Sequence, residues 1–195
     1  MRTLTYFVAV SLDGYIAGPD RTDPTGFWPI AEDYLALLTT RYPETLPAAA
    51  RQALGVTAQG GRFDTVLEGR RSYEIGLAAG VTDAYPHLRH LVFTASMTES
   101  PDDRVELIGT DPVTVVQALK RESGLGLWLV GGGELAGSLY SEIDQLILKI
   151  APLTLGDGVP LFGRGRPFDL RGWVLAEHTV LDSGTVVLSY TASPR

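Results

Sequence analysis

Leu127-Trp128-Leu129-Val130-Gly131-Gly132-Gly133-Glu134-Leu135-Ala136 is the stretch on which the fold turns. A short apolar run ends in three glycines, and a helical pattern begins at once. Glycine accepts positive φ and puts no Cβ in the way of a neighbour. A helix that opens at such a turn presents unpaired N–H groups and the positive end of its dipole, a seat for phosphate or pyrophosphate. Gly131-x-Gly133-x-x-Ala136 also matches a dinucleotide fingerprint. That fingerprint normally follows the first strand and is answered by a carboxylate at the end of the second. Here it lies late, the next strand ends Lys149-Ile150-Ala151-Pro152, and too little chain follows for a second half. A doubly wound fold is rejected and the phosphate site retained.

Working outward, Thr3 to Ser11 places Leu4, Tyr6, Val8 and Val10 on one face and Phe7 and Ala9 on the other. Both faces are largely apolar, which predicts a central strand covered on both sides. Asp13-Gly14 turns the chain, Tyr15 to Ala17 is a short extended piece, and Asp20, Asp23, Pro24 and Gly26 belong to a loop. A helix is expected over Ile30–Arg41, strands over Phe63–Glu68, His90–Thr94 and Val105–Ile108, and a helix over Val113–Glu122 capped by Thr110 or Asp111. Gly126–Val130 is a strand, Glu134–Tyr140 a helix and Gln145–Ile150 a strand. Pro152–Gly165 reads as a loop. Trp173–Val180 and Thr185–Thr191 form a hairpin around Asp182-Ser183-Gly184. Residues 45–57 carry no readable pattern. The expectation is a single α/β domain over residues 1–195, a mixed sheet that is mostly parallel with an antiparallel C-terminal hairpin and helices on both faces.

The 195 residues contain no cysteine and carry a net charge of −7. Disulfides, iron–sulfur clusters, thiolate zinc sites and a Cys nucleophile are thereby excluded. The acidic balance argues against a general nucleic-acid binder. No apolar run reaches 18 residues and no signal-peptide core is visible, so a cytoplasmic protein without membrane contact is expected. His87, His90 and His178 lack zinc-ligand spacing, no G-x-S-x-G elbow exists, and no metal is expected. Gly156-Asp157-Gly158 reads as a turn.

Three further groups fit a ligand. In Leu67-Glu68-Gly69-Arg70-Arg71-Ser72-Tyr73-Glu74 a strand ends in glycine and two arginines open a helix. The planar guanidinium suits phosphate oxygens, and Ser72 adds a donor. Thr94 and Ser96 end the next strand, where a 2′-phosphate or adenosine would fit. Asp13 lies at a turn near the sheet's ligand end and is the candidate polar residue beside a reacting group. Tyr15 and Trp28, with Phe27 beside it, offer stacking surface for a substrate, and Glu32 or Asp33 could orient a heterocycle.

As an ordered set, Ser11-Leu12-Asp13-Gly14-Tyr15-Ile16-Ala17, Gly69-Arg70-Arg71-Ser72-Tyr73-Glu74, Leu129-Val130-Gly131-Gly132-Gly133-Glu134-Leu135 and Pro152-Leu153-Thr154-Leu155-Gly156-Asp157-Gly158-Val159-Pro160-Leu161-Phe162 resemble the dihydrofolate reductase superfamily. The closer resemblance is to the branch containing the reductase (C-terminal) domain of the riboflavin-biosynthesis deaminase–reductase. The resemblance implies a mixed sheet and NADPH. It places Gly69, Arg70, Arg71 and Ser72 at the cofactor phosphates, Thr94 and Ser96 near the 2′-phosphate, and Val130 to Leu135, including Gly131, Gly132, Gly133 and Glu134, along the pyrophosphate and nicotinamide ribose. It implies hydride transfer to a small heterocycle or a C=N or C=O carbon, in the manner of a 5-amino-6-(5-phosphoribosylamino)uracil reductase. Dihydrofolate reduction and non-catalytic binding of a nucleotide or small molecule are the alternatives. The family's pairing habit, with an alternating ribbon at the sheet's end, gives the expectation of a homodimer.

Overall fold

The computed structural model describes residues 1–20, 26, 28–165 and 167–194. Asp23, Pro24 and Phe27, which the sequence assigned to a loop and beside a stacking surface, lie outside them. Strand β1 (Leu4–Val10) runs through the middle of an eight-stranded sheet. Its neighbours are β6 (Gly126–Gly131) and β7 (Gln145–Ile150), both parallel to it. Beyond β6 come β3 (Phe63–Gly69), β4 (Arg89–Phe93) and β5 (Val105–Ile108), all parallel. Beyond β7 lie β10 (Val186–Ala192) and edge strand β9 (Trp173–Val180), joined as an antiparallel hairpin. The strand order is β5-β4-β3-β6-β1-β7-β10-β9.

The predicted two-sided burial of β1 is found. Leu4, Tyr6, Val8 and Val10 enter one core with Leu67, Leu127 and Leu129. Helices α4 (Pro112–Arg121) and α5 (Gly133–Ser138) cover this side through Val116, Leu119, Leu135 and Ala136. Phe7 faces the other way, with Val66, Trp128 and Ile147, beneath Leu37 and Leu38 of α1 (Glu32–Arg41). Trp128 is buried as far as its polar atom, and the indole N–H donates to the Phe7 carbonyl at 3.2 Å. Helix α3 (Arg70–Ala78) packs farther along this face, where Tyr73 meets Val92 and Val105.

Local chemistry explains the boundaries. The Asp111 carboxylate accepts from Thr114 N–H at 2.9 Å and Pro112 occupies the first turn, so α4 begins where the sequence predicts. Helix α1 starts at Glu32 rather than Ile30, because Ala31 is extended and Ile30 is exposed. Residues 45–57, without pattern in the sequence, contain the end of a 3-10 turn (Pro43–Thr45) and the short helix α2 (Ala48–Ala53). They are held by a distant partner. Glu44 is fully buried and accepts from the N–H groups of Arg62 and Phe63 at 2.8 and 3.2 Å. The region read as a loop after Pro152 contains β8 (Val159–Pro160), which pairs with β2 (Tyr15–Ala17). Two residues are too few to show a period.

The end of the sheet where β1 begins is locked by charge. Arg2 is buried, binds Asp64, and reaches Thr65 Oγ1 at 2.7 Å and the Leu125 carbonyl at 2.6 Å. Lys120 and the Leu4 N–H both meet the Asp144 carboxylate at 2.8 Å. The opposite end, where β1, β3, β6 and β7 finish, is made of glycines, hydroxyls and a folded-over loop.

Leu129 is fully buried in the core. Leu129→Ala is expected to cost about 2–5 kcal/mol in chemical denaturation. Leu170→Ala, at an exposed position, is expected to stay within about 0.5 kcal/mol.

Candidate functional site

Two glycine turns face each other across neighbouring strands. Strand β3 ends at Gly69 and β6 at Gly131, with Glu68 opposite Gly131 in the register. Gly132 has φ +95°, a conformation that side chains resist. A Cβ there would lie 3.7 Å from the Gly69 nitrogen and 3.8 Å from its Cα. A Cβ on Gly131 would meet Ser72 Oγ at 3.3 Å, and Leu135 Cβ is 3.8 Å from the Cβ positions of both Gly69 and Gly132. The surface between the starts of α3 and α5 is therefore mostly backbone, with Ser72 at its side. Such a cradle fits a pyrophosphate, which needs close approach to N–H groups rather than to side chains.

The third glycine has a different reason. A Cβ on Gly133 would come within 2.4 Å of the Pro160 carbonyl and 2.9 Å of the Gly163 nitrogen. The absence of a side chain at Gly133 lets the returning 159–163 segment pack on the helix start. Gly131 and Gly132 border the open turn, whereas Gly133 meets a packing requirement. With six residues, α5 starts at Gly133 and carries only a weak dipole, whereas α3 has nine.

Charge stands at the rim of this cradle. Arg71 Nη1 lies 3.0 Å from Glu134 Oε1, an ion pair bridging the two turns, with side chains 50% and 65% exposed. A pair so exposed is worth little, so an incoming phosphate can displace the carboxylate. Arg70 pairs with Glu74 one turn along α3 at 3.0 Å. Next in the sheet, Thr94 follows β4 and its hydroxyl oxygen accepts from the N–H groups of Ser96 and Met97 at 3.2 and 2.9 Å. Thr94 is buried and shapes the turn, while Ser96 is exposed. Gly69 pairs with Phe93, so these hydroxyls flank the start of α3. Val130, on the face opposite Leu129, is half-buried against the core under α1.

Asp13 has a structural task. Its carboxylate accepts from Ser11 Oγ at 2.6 Å, from Leu155 N–H at 3.1 Å and from Gly156 N–H at 2.7 Å. The Ser11 hydrogen bond first, and then the two backbone amides, hold its pKa below the usual carboxylate range. A carboxylate so held keeps no proton to give near neutral pH. Asp13 therefore pins the turn after β1 to the 152–158 loop. Tyr15 sits beside that loop, 3.3 Å from where a Gly158 Cβ would stand.

The candidate carboxylates on α1 divide. Glu32 is exposed. Asp33 accepts from the Ser183 N–H at 2.8 Å, which ties α1 to the β9–β10 turn and holds the Asp33 pKa low. Gly184 of that turn approaches Pro152 just beyond β7. The start of α1 thus lies at the same end of the sheet as the glycine turns. Trp28, before α1, is half-buried.

Sequence reasoning gave His90 no part, yet it is fully buried between two carboxylates. Nε2 lies 2.7 Å from Glu68 Oε1 and Nδ1 3.0 Å from Asp83 Oδ1. Tyr73 and Tyr85 close the ring edge-on. Burial pulls the imidazole pKa down, but the hydrogen bonds and charges of Glu68 and Asp83 outweigh it, and the net shift is upward. Glu68 immediately precedes Gly69, so this cluster anchors the cradle from below. The only hint in the sequence was a histidine opening an apolar strand. Because the folded pKa is raised, the stabilisation is full below about pH 6.5, the unfolded value, and is lost as pH rises through the folded value. Wild-type protein should lose stability over that window in denaturation measured from pH 6 to 9, and His90→Gln should flatten the dependence.

Among the described residues no helix is long and apolar enough to cross a membrane, and no group of His, Asp and Glu residues could hold a metal. The chain is similar over 101 residues, at 35% identity, to the uncharacterized protein YwjB of Bacillus subtilis (51% of this chain, 58% of YwjB). It is 27% identical over 122 residues to YyaP of the same organism, also uncharacterized (56% of this chain, 64% of YyaP). The matches thus span about three-fifths of these relatives. Among solved structures, a protein of Shewanella sp. PV-4 named "Putative riboflavin biosynthesis protein" superposes with a TM-score of 0.68 at 22% identity, covering 100% of both chains. The Thermotoga maritima diaminohydroxyphosphoribosylaminopyrimidine deaminase/5-amino-6-(5-phosphoribosylamino)uracil reductase superposes with a TM-score of 0.66 at 14% identity, over 98% of this chain and 57% of that one. Both share the fold described above. Residues 80–187, more than half of the chain and including the Gly131–Gly133 turn and strand β7, match the RibD C-terminal domain, and the chain belongs to that family.

Proposed function

We propose that the protein is an NADPH-dependent reductase of a small heterocyclic or C=N/C=O substrate. The observation that carries this reading is the pair of facing glycine turns at Gly69 and Gly131–Gly132, rimmed by Arg70, Arg71 and Ser72. Backbone amides at the start of α3 and Ser72 would hold the pyrophosphate, and one of the arginines, with Thr94 and Ser96, the 2′-phosphate. When bound, NADPH supplies a hydride at its nicotinamide. The chain's contribution is orientation. Gly132 sets the approach to the backbone, and Asp13 fixes the turn beneath the 152–158 loop. Tyr15 and the start of α1 would border a bound substrate. Family membership supports a reaction like that named for the Thermotoga relative.

Calorimetry with both cofactors tests the reading, and tighter binding of NADPH than NADH is the expected result. Equal affinities would remove the 2′-phosphate assignment. Replacing the contacting arginine by Ala should weaken NADPH by about 1.5–3 kcal/mol, roughly ten- to a hundredfold. Gly132→Val should abolish binding while circular dichroism still shows a folded chain, because φ +95° is strained for valine. A folded variant with normal affinity would make the turn purely structural.

We also propose a homodimer. Strand β9 is an edge strand exposed along most of its length, and Val174, Leu175 and Val180 on it and Phe168 and Leu170 before it are exposed apolar residues. An unpaired edge with apolar side chains is stabilised when a second copy covers it. Sedimentation equilibrium should give twice the 21.0 kDa chain mass; a monomer at tens of micromolar rejects the proposal.

A further inference from the structure

The face of the sheet beneath α1 holds an amine that the cofactor cradle does not use. Lys149 lies on β7, opposite Ala9 of β1 and Val187 of β10. Its Nζ stands 4.0 Å from the centroid of the Phe7 ring, and Phe7 in turn packs on Tyr42 at 4.7 Å. The surrounding wall is apolar, formed by Leu37, Leu38, Ile147 and Val187. Among the described residues no carboxylate pairs with this nitrogen. The contrast with Lys120 is direct, since that amine meets both Asp144 and Glu142. The face of an aromatic ring compensates only part of the hydration that a half-buried ammonium loses.

Position gives this amine a use. Lys149 is the penultimate residue of β7, at the end of the sheet where β1 and β6 also finish. Two strand spacings, about 10 Å, separate β7 from β6 and its Gly131 turn. The start of α1, tied to the β9–β10 turn by Asp33, borders the same space. We propose that Lys149 is a substrate-binding residue whose Nζ takes the electron-rich carbonyl oxygen or ring nitrogen of a ligand held between β1, β7 and α1. This rests on the reductase reading and deepens it. A ligand acceptor would give Nζ the partner that the described protein groups do not. The aliphatic stem of lysine is flexible enough to turn from the Phe7 ring toward it.

The amine's surroundings agree. Burial pushes its pKa down from the ordinary lysine value to about 7, so near neutral pH Nζ can hold or release a proton. The titratable and charged groups on the elements packed here are Glu32, Asp33, Tyr34 and Arg41 of α1 and Tyr42 after it. Asp33 is engaged by Ser183, and Arg41 by Glu177. Burial pushes the Tyr34 phenol upward, so it stays neutral. Ala9 and Val187, the strand neighbours, do not titrate.

Lys120 and Lys149 are the only lysines in the sequence, which makes a direct test possible. Pyridoxal 5′-phosphate condenses with an accessible neutral amine, and borohydride fixes the product for mass mapping. At pH 7.5 Lys149 should take the label in preference to Lys120, and Lys149→Met should lose it without loss of fold by circular dichroism. NADPH at ten times its calorimetric Kd should slow labelling about tenfold, whereas adenosine 2′,5′-bisphosphate, which lacks the nicotinamide, should not. Selective ¹³C labelling of lysine should show the Lys149 Cε signal titrating near neutral pH and moving when NADPH is added. If NADPH binds but leaves both the labelling rate and the Cε signal unchanged, the Lys149 inference falls and the reductase reading stands. If calorimetry finds no NADPH binding, both fall.

Discussion

Parallel strands β6 and β7 both hydrogen-bond to β1, and every other part of the molecule takes its place from that arrangement. A strand paired on both edges and buried on both faces must be largely apolar, and in Leu4–Val10 the buried Thr5 hydroxyl donates to Gln145 Oε1 at 3.1 Å. Right-handed crossovers then place helices on both faces. The chain leaves β1, β3, β6 and β7 at one end of the sheet, so their last residues converge. Gly69, Gly131 and Lys149 come to the same end of the sheet because their strands share a direction.

The two ends of the sheet are built from different chemistry. Where β1 begins, Arg2, Asp64, Lys120 and Asp144 satisfy one another and the adjoining backbone. At the other end the close contacts are between backbone and backbone, as Gly132 against Gly69 and Gly133 against Pro160. A locked end gives the sheet rigidity. An end free of bulky side chains leaves amides near the surface, where an anionic ligand can replace water.

Buried charge supports the cradle from behind. His90 holds Glu68 and Asp83 together directly below Gly69, and Asp13 holds the loop above Tyr15 through backbone amides. Each fixes the backbone whose position matters, which is how a glycine-built site gains rigidity without side chains of its own.

By itself the sequence determined the long elements, because their periods are local. Gln145–Ile150, apolar on both faces, and Trp173–Val180, which alternates, have the bounds read from the sequence, and the central place of β1 followed from its two apolar faces. The glycine and arginine motifs were equally legible, since each is contiguous. Only the tertiary structure decided what depends on distant partners. The pairing of β2 with β8 and the burial of Glu44 against Arg62 and Phe63 are of this kind. So are the enclosure of His90, the engagement of Asp13 by Leu155 and Gly156, and the isolation of Lys149 over Phe7. A polar side chain reads the same on a solvated strand as in a closed layer; the free energy of burying it, and the group that compensates for the lost water, exist only once the strands are brought together.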